Sequence, residues 1–273
     1  MIIERNENTA ELVGLSFGDG GLTYRKDTDR MRFQLCGSLR DDKEHYDKFV
    51  IPLFNKEVMF PIFKRNVGII FNNRLRFYGI SVESSKISEE LSSLGIPKGV
   101  KEELFIPEWI KCNKTYLTRF LRGFLDTDGC VCCERNYSIK NNKLHTQIRI
   151  YLVSTSKYLM EEICQSLKLL NIKFIFHHNK VKANNKNNKD SYEVRICGGI
   201  QVNKWFNIIG SKNPKHETKY LIWKEFGFCP PNTALEDRKR ILKKEISPYS
   251  YYKRECQSGQ MGMLKEHVCL VPS

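Results

Sequence analysis

Two short segments of the same design lie in separate parts of the chain, LVGLSFGDG at residues 12–20 and LRGFLDTDG at residues 121–129. Each has the apolar pattern of a helix, carries small residues four positions apart and ends in Asp-Gly. The small residues are Gly14 and Gly18 in the first segment, and Gly123 and Thr127 in the second. Residues of this kind let two helix backbones approach closely. We therefore expect two matching halves whose motif helices meet.

The patterns that follow the two segments repeat as well. RMRFQLCGS at residues 30–38 alternates strictly between polar and apolar side chains, which is typical of a half-buried strand. The rest of the first half predicts a helix within residues 43–54, strands at 63–67 and 74–82, and a helix at 84–94. The second half predicts strands at 129–134 and 145–154, a helix at 156–170, strands at 174–179 and 191–197, and a helix at 201–209.

Each half therefore has the order helix, two strands, helix, two strands, helix. The sequence predicts a mixed α+β protein of two αββαββα repeats. Pro107 marks the break before the second motif helix, so we place the first repeat at residues 1–110 and the second at 111–245. Residues 246–273 show no clear period, and we expect them to form a poorly ordered tail.

The chain is strongly basic, with 45 Lys and Arg against 31 Asp and Glu, and a formal net charge of +14. This imbalance favours a polyanionic partner, and DNA, RNA and acidic membranes all fit it. No stretch has the roughly 18 consecutive apolar residues that span a bilayer, and the first residues lack the apolar core of a secretion signal. We expect an intracellular protein of the cytoplasm, nucleoid or an organelle matrix.

Ten cysteines are scattered along the chain, and we expect them to be reduced thiols. Cys130 and Cys133 form a single CxxC, but no second pair or CxxH lies at a zinc-finger spacing. A strand of small residues is therefore favoured over structural zinc. The sequence also has no GxxxxGK[ST] loop and no HExxH, so nucleotide-binding and zinc-protease chemistry lack support.

Asp19 and Asp128 stand at the ends of the two motifs. One Asp-Gly ending means little, because glycine is a common helix C-cap. An acid at a helix C-terminus is nevertheless unfavourable, since the dipole and the free carbonyls concentrate negative charge there. Two copies of this arrangement suggest a cation. If the helices pack side by side, the acids meet, and such oxygen ligands suit Mg²⁺ and the hydrolysis of one phosphodiester in each DNA strand.

Both nonapeptides resemble the LAGLIDADG motif. The matching residues are Leu12, Gly14, Leu15, Asp19 and Gly20 in the first and Leu121, Gly123, Asp126, Asp128 and Gly129 in the second. The similarity covers most of the chain, because LGIPKGVKEELFIPEWI and IGSKNPKHETKYLIWKEFG resemble the ends of the family's first and second repeats. The chain is thus identified as a LAGLIDADG homing endonuclease with both motifs in one chain. It departs from the pattern at Phe17, a position that does not bind metal in the family.

The resemblance implies a fold and a site. The motif helices pair at a central pseudo-twofold axis, antiparallel strands form two saddles over DNA, and the penultimate Asp of each motif binds the catalytic metals. Asp19 and Asp128 are then the metal ligands, with the carbonyls of Gly18 and Thr127 as helpers. The resemblance places a basic residue near the reactive water of each half, at Lys101 and Lys215. In the second half the alternatives are His216, which aligns with Lys101 by simple register, and Lys219.

The polar faces of the predicted strands carry side chains that suit bases and phosphates. In a major groove Arg can bind guanine, Gln can bind adenine and Glu can bind cytosine. Polar strand faces are also commonly just solvated, and the motif pair is what favours DNA contact here. The candidates are Tyr24, Lys26, Arg30, Arg32, Gln34, Arg74, Arg76 and Tyr78 in the first half, and His145, Gln147, Arg149, Tyr151, Glu193 and Arg195 in the second.

The expected protein is a monomeric, intron-encoded meganuclease that needs no protein partner. It would cut duplex DNA at a long asymmetric site with two or more Mg²⁺ ions, for which Mn²⁺ or Ca²⁺ could substitute in binding. An RNA maturase that assists intron splicing on the same scaffold is the alternative, and the retention of both acids favours the nuclease. A silent regulator would need a helix-turn-helix module, for which the chain has no room.

Overall fold

The computed structural model describes residues 2–101, 103–133, 138–140, 143–181 and 189–251. The first half contains α1 (Glu7–Asp19), β1 (Gly20–Arg25), β2 (Arg30–Ser38), α2 (Lys43–His45), α3 (Ile51–Phe54), α4 (Phe60–Phe63), β3 (Gly68–Asn72), β4 (Phe77–Glu83) and α5 (Ser85–Ser93). The short α6 (Glu108–Lys111) leads to the second half. That half contains α7 (Lys114–Asp128), β5 (Gly129–Cys133), β6 (Ser138–Lys140), β7 (Lys143–His145), β8 (Ile148–Ser154), α8 (Lys157–Leu169), β9 (Ile175–Asn179), β10 (Ser191–Cys197), α9 (Gly199–Ile208), α10 (Pro214–Phe226) and α11 (Leu235–Leu242).

Each half folds around a four-stranded antiparallel sheet. The strand orders are β1-β2-β4-β3 and β5-β8-β10-β9, so the second sheet repeats the first. Helices cover one face of each sheet, where Phe33 and Leu35 of β2 and Ile150 and Leu152 of β8 are fully buried. The prediction of an α+β fold with two matching repeats is confirmed.

The motif helices α1 and α7 pack side by side between the two sheets. Asparagine caps both helices, because the Asn6 side chain accepts from the N–H of Asn8 and Thr9 and Asn113 does the same in α7. A Cβ on Gly123 would lie 2.4 Å from the carbonyl oxygen of Glu11. The two backbones are therefore in direct contact, as the spacing of small residues predicts.

The helical region of the first half is longer than the sequence predicts. α2, α3 and α4 follow one another through π-helical turns at Tyr46–Val50 and Asn55–Met59. Pro52 and Pro61 have no N–H to donate within this helical region, and each lies just after a π-helical turn. The region ends at Lys64, which has a left-handed φ of 53°. β3 therefore starts at Gly68, and the prediction of a strand at 63–67 is wrong.

The strand predicted at 145–154 is interrupted. β7 pairs with β6 in a separate two-stranded sheet, and β8 begins only at Ile148. Between them the main chain of Thr146 turns toward α10, because its N–H donates to the Gly227 carbonyl at 3.1 Å and its carbonyl accepts from Trp223 Nε1 at 2.7 Å. Hydrogen bonds to the end of α10 thus replace the expected sheet hydrogen bonds.

The part of the chain that follows α11 packs against the second half. The ring of Tyr249 contacts both Phe226 and Phe228, so residues 246–251 do not behave as the expected loose tail. Residues 252–273, the rest of that predicted tail, lie outside the described residues. Within the described ranges, no helix is both long enough and apolar enough to span a membrane.

Candidate active site

The two motif acids come together where α1 and α7 end. The helix ends touch there, because a Cβ on Gly18 would lie 2.1 Å from Thr127 Oγ1. Asp19 is half-buried, and this burial, together with repulsion from Asp128 and Asp42, raises the pKa of Asp19 to about 7. The pKa of Asp128 is raised too, because surrounding protein reduces its solvation even though its surface is exposed. The fold thus concentrates negative charge at one open point.

The ligand set at this point fits a divalent cation. Among the described residues, neither acid has a hydrogen-bond or salt-bridge partner. Two unpaired carboxylates beside the helix-end carbonyls of Gly18 and Thr127 form an oxygen-only set, which Mg²⁺ and Ca²⁺ prefer. Among the described residues, no third His, Cys, Asp or Glu lies close enough to share a metal ion with them. The remaining ligands of an ion would therefore be waters and phosphate oxygens.

Lys101 lies against the C-terminus of α1. Its ammonium donates to the carbonyl oxygens of Ser16 at 3.1 Å and Phe17 at 3.0 Å, and also to that of Gly18. Burial lowers the pKa of Lys101, while the charges of Asp128 and Asp19 oppose that shift. The lysine offsets part of the negative helix end and lies within electrostatic reach of both acids. The Gly18 carbonyl, expected to assist the metal, already accepts one hydrogen bond.

In the second half, Lys215 is the candidate that the structure brings to the acids. Its ammonium forms an ion pair of 2.7 Å with Oδ1 of Asp42, a residue of the first half. Its positive charge also opposes the raised pKa of both Asp19 and Asp128. Lys101 and Lys215 therefore supply one positive charge from each half.

The two alternatives in α10 contact β5 instead. His216 is buried, and its Nδ1 accepts from the N–H of Val131 at 3.3 Å. Burial and neighbouring cations hold the pKa of His216 well below its usual range. The Lys219 ammonium donates to the carbonyl of Val131 at 3.0 Å. Successive helix residues point about 100° apart, so a shift of one residue in register turns a side chain away from the acids.

Three further side chains at the site escaped prediction from the sequence: Asp42, Asp126 and Asn213. Asp126 is buried, accepts from Ser211 Oγ at 2.5 Å and from Lys212 N at 2.8 Å, and has a pKa that burial raises to about 7. A signal existed for Asp126, because the second motif keeps an acid where the first has Phe17. None existed for Asp42 and Asn213, which lie 171 positions apart and meet through a 2.8 Å hydrogen bond.

Arg30, Arg32 and Gln34 share the face of the first sheet that the helices leave open. On the opposite face of β2, Phe33 and Leu35 are buried, as the alternation predicts. Burial and the charge of Asp19 raise the pKa of the Cys36 thiol, which lies on the same face as Arg32. This open face and the two acids are therefore on the same side of the molecule.

Tyr24 and Tyr78 do not share that face. Tyr24 lies opposite Met31, which shares the helix-covered face with Phe33, so the Tyr24 side chain points to that face. Tyr78 is 7% exposed, and its hydroxyl donates to Oδ1 of Asp47 at 2.5 Å. Thr23 and Arg25, which the sequence did not single out, lie opposite Arg32 and Arg30 on the open face.

The remaining candidates of the first half lie in turns. Lys26 is in the turn between β1 and β2, and Arg74 and Arg76 are in the turn between β3 and β4. Arg76 has a left-handed φ of 55°. This turn interrupts the alternation that predicts a strand from residue 74, so that alternation does not decide which face of the sheet Tyr78 occupies.

The open face of the second sheet carries most of the side chains expected there. Arg149 donates to Gln147 at 2.7 Å, the Arg195 guanidinium lies 5.1 Å from the centre of the Tyr151 ring, and Glu193 accepts from Arg195 at 2.7 Å. His177 of β9 lies opposite Glu193 and was not predicted. His145 lies in β7, outside this four-stranded sheet.

The chain is similar to known LAGLIDADG proteins in sequence and in fold. A family model described as a LAGLIDADG-like domain matches residues 115–210, the segment that holds the second motif. Among solved structures, mesophilic variants of the homing endonuclease I-DmoI have 18% identity and a TM-score of 0.52, covering 74% of this chain and 90% of that one. An I-DmoI variant in complex with its target DNA in the presence of manganese has 18% identity and a TM-score of 0.52, covering 75% and 93%. The meganuclease I-SmaMI bound to uncleaveable DNA has 10% identity and a TM-score of 0.52, covering 94% and 98%.

A comparison with curated protein sequences found no match. The similar solved structures show that the fold is that of the homing endonucleases, and the resemblance that the two motifs predict is confirmed.

Proposed function

We propose that this two-motif LAGLIDADG protein is a homing endonuclease that cuts both strands of a long, asymmetric duplex DNA site with a divalent metal, Mg²⁺ in the cell. The observation that carries the proposal is the meeting of Asp19 and Asp128. They are acids from two halves of the chain, they repel each other at touching helix ends, and no cationic side chain pairs with them among the described residues. Such an arrangement is costly without a cation.

The position of the basic residues supports a reaction on two strands. A divalent ion held by Asp19 and Asp128 would supply a polarised phosphoryl oxygen and an activated water. The Lys101 ammonium, held by helix carbonyls, and the Lys215 ammonium, held by Asp42, add positive charge beside the acids. Negative charge grows on the phosphate during its hydrolysis, and fixed cations stabilise it. We assign one lysine to each strand.

The sheets support duplex DNA as the substrate. Each presents a polar face that the helices leave open, with Arg32 and Gln34 in the first half and Arg149 and Arg195 in the second. The net charge of +14 favours a polyanion. Structures of I-DmoI and I-SmaMI, which share this fold, contain bound DNA. One chain carries both acids, so a monomer suffices.

Cleavage of a library of duplexes with randomised sites tests the proposal. Wild type, Asp19→Asn and Asp128→Asn are each incubated with the library in Mg²⁺ and in EDTA, and the cut ends are sequenced. The matched control is Glu161→Gln, which removes an exposed acid of α8 whose partner is Lys157. We expect wild type and the control to cut one long sequence on both strands in Mg²⁺ only.

The two motif variants are expected to lose cleavage or to leave only nicks. Cleavage that ignores sequence, or that survives in both motif variants, would overturn the proposal. A folded wild-type protein that cuts no duplex would also overturn it and would favour the RNA maturase, which intron RNA binding would then test.

A further inference from the structure

Asp42 belongs to the first half of the chain, but its carboxylate binds residues of the second half. It lies between β2 and α2 and is 5% exposed. Its Oδ2 accepts from the N–H of Ser38 at 3.0 Å, within its own loop. Its Oδ1 accepts from the Lys215 ammonium at 2.7 Å and from Asn213 Nδ2 at 2.8 Å. One buried oxygen therefore holds two residues at the start of α10.

Asn213 connects this carboxylate to the second motif helix. It is fully buried, its Oδ1 accepts from the N–H of Lys215 at 3.1 Å, and its Nδ2 also donates to the carbonyl of Asp126 at 2.9 Å. Asp126 lies two positions before Asp128 in α7. The start of α10, the end of α7 and the loop of Asp42 are thus fixed relative to one another at the site.

Near Lys101, the contact that corresponds to that of Asp42 contains no charged side chain. Ser156, which caps α8 at the position that matches Asp42 in the repeat, accepts from the N–H of Leu104 at 2.9 Å and donates to its carbonyl at 3.3 Å. Lys101 is held by the carbonyls at the end of α1. It has no carboxylate within salt-bridge distance among the described residues. In each half, the residue that precedes the helix therefore contacts the other half, but Asp42 alone of the two also forms an ion pair with a lysine, Lys215.

We propose that Asp42 is a positioning residue that holds the Lys215 ammonium at the acid pair for cleavage of one DNA strand. A lysine has a flexible four-carbon stem with many rotamers, and an ion pair to a buried carboxylate selects one of them. This inference rests on the proposed function, because it gives Lys215 its task. It predicts that loss of the Asp42 charge slows cleavage of one DNA strand more than cleavage of the other.

Single-turnover cleavage with a separate label on each strand tests the proposal. The substrate is the duplex recovered from the library, and the variants are Asp42→Asn, Lys215→Met, Lys101→Met and the doubles of Asp42→Asn with each lysine variant. Asparagine removes the charge and keeps one acceptor oxygen, which can accept from Asn213 or from Ser38 but not from both, because these two donors contact different oxygens of Asp42. We expect Asp42→Asn to slow one strand about tenfold to a hundredfold, the same strand that Lys215→Met slows, so that nicked duplex accumulates.

The double variants separate positioning from general damage. Asp42→Asn with Lys215→Met should be no slower than Lys215→Met alone. In the double with Lys101→Met, each strand should be slowed only as much as in the single variant that affects it. Duplex affinity in EDTA should stay within about twofold of wild type for Asp42→Asn, since positioning acts on the reacting state. Equal slowing of both strands, or multiplied effects with Lys215→Met, would overturn the inference.

A measurement without DNA or metal provides a second readout. In urea denaturation, the shifts in midpoint caused by Asp42→Asn and Lys215→Met should be non-additive, because the residues form one ion pair. Additive shifts would show that the pair does not exist in solution. Wild-type protein that cuts no duplex would refute the proposed function, whereas wild type that cuts and an Asp42→Asn variant that cuts equally well would refute this inference alone.

Discussion

A Cβ atom on Gly14 would lie 2.2 Å from the carbonyl oxygen of Phe120. A Cβ atom does not fit so close to a backbone oxygen, so α1 and α7 lie at a separation that requires glycine at this position. Asp19 and Asp128 end these same two helices. The contact between Gly14 and Phe120 therefore also sets where the two acids meet.

Gly14→Ala should destabilise the protein strongly. Either the helices separate or the backbone bends, and overpacking of this kind costs about 1–3 kcal/mol or more. Urea denaturation followed by circular dichroism measures the loss. Gly68→Ala is the control, since its Cβ would meet only the Ser81 carbonyl at an ordinary 3.6 Å. Similar losses in both variants would contradict the close helix contact.

Glu11→Gln should also destabilise the helix pair. Glu11 is 1% exposed and accepts from Arg122 Nε at 2.6 Å across the α1–α7 contact. Removing one partner leaves a buried charge unpaired, which costs about 3–5 kcal/mol. Glu161→Gln, at an exposed pair 3.5 Å from Lys157, should cost less than about 1 kcal/mol. The denaturation midpoints of the two variants check the difference, and equal values would count against a buried pair.

Arg32→Ala should weaken binding of the target duplex. Arg32 lies on the open face of the first sheet, and its buried Nε has no hydrogen-bond partner among the described residues. A direct base contact by arginine contributes about 1–3 kcal/mol, so we expect a rise in Kd of roughly fivefold to 150-fold, measured in EDTA. Tyr78→Phe is the control from the helix side of the same sheet and should leave Kd unchanged. An unchanged Kd in Arg32→Ala would remove it from the interface.

The contribution of Asp19 to the stability of the metal-free protein should fall as pH rises from about 4 to about 7. Burial and Asp128 raise the pKa of Asp19 from its ordinary 3.8 to about 7, so the folded state holds more protons than the unfolded state in that window. One such group lowers the unfolding free energy by at most about 1.4 kcal/mol per pH unit. Asp19→Asn should flatten this dependence in urea denaturation in EDTA.

The stabilisation that Mg²⁺ provides should depend on pH in the opposite direction. A cation competes with protons for the carboxylates, so its stabilising effect should grow as pH rises. The gain in the urea midpoint on adding Mg²⁺ should be larger at pH 7.5 than at pH 5, and it should be reduced in Asp19→Asn. A wild-type pH profile that matches that of Asp19→Asn, with and without Mg²⁺, would contradict a raised pKa at this acid.

Most of the local structure could be predicted from the sequence. The apolar pattern and small residues of the motifs predict helices that touch, and the strict alternation at residues 30–38 predicts a strand with Arg32 and Phe33 on opposite faces. Prediction failed where distant parts of the chain intervene. Thr146 leaves its strand because Trp223 and Gly227 hydrogen-bond its main chain.

The residues of the site also fall into two groups, those that the sequence predicts and those that depend on tertiary structure. Its two acids follow from the sequence alone, because each ends a helix whose pattern is local and because the pattern occurs twice. The choice of Lys215 over His216 and Lys219, the inward turn of Tyr78 and the part played by Asp42 depend on tertiary structure. Side-chain periodicity fixes direction only within one helix or strand. Which residues of different elements meet is set by packing across the two halves, and Asp42 and Lys215, 2.7 Å apart in space, are far apart in the chain.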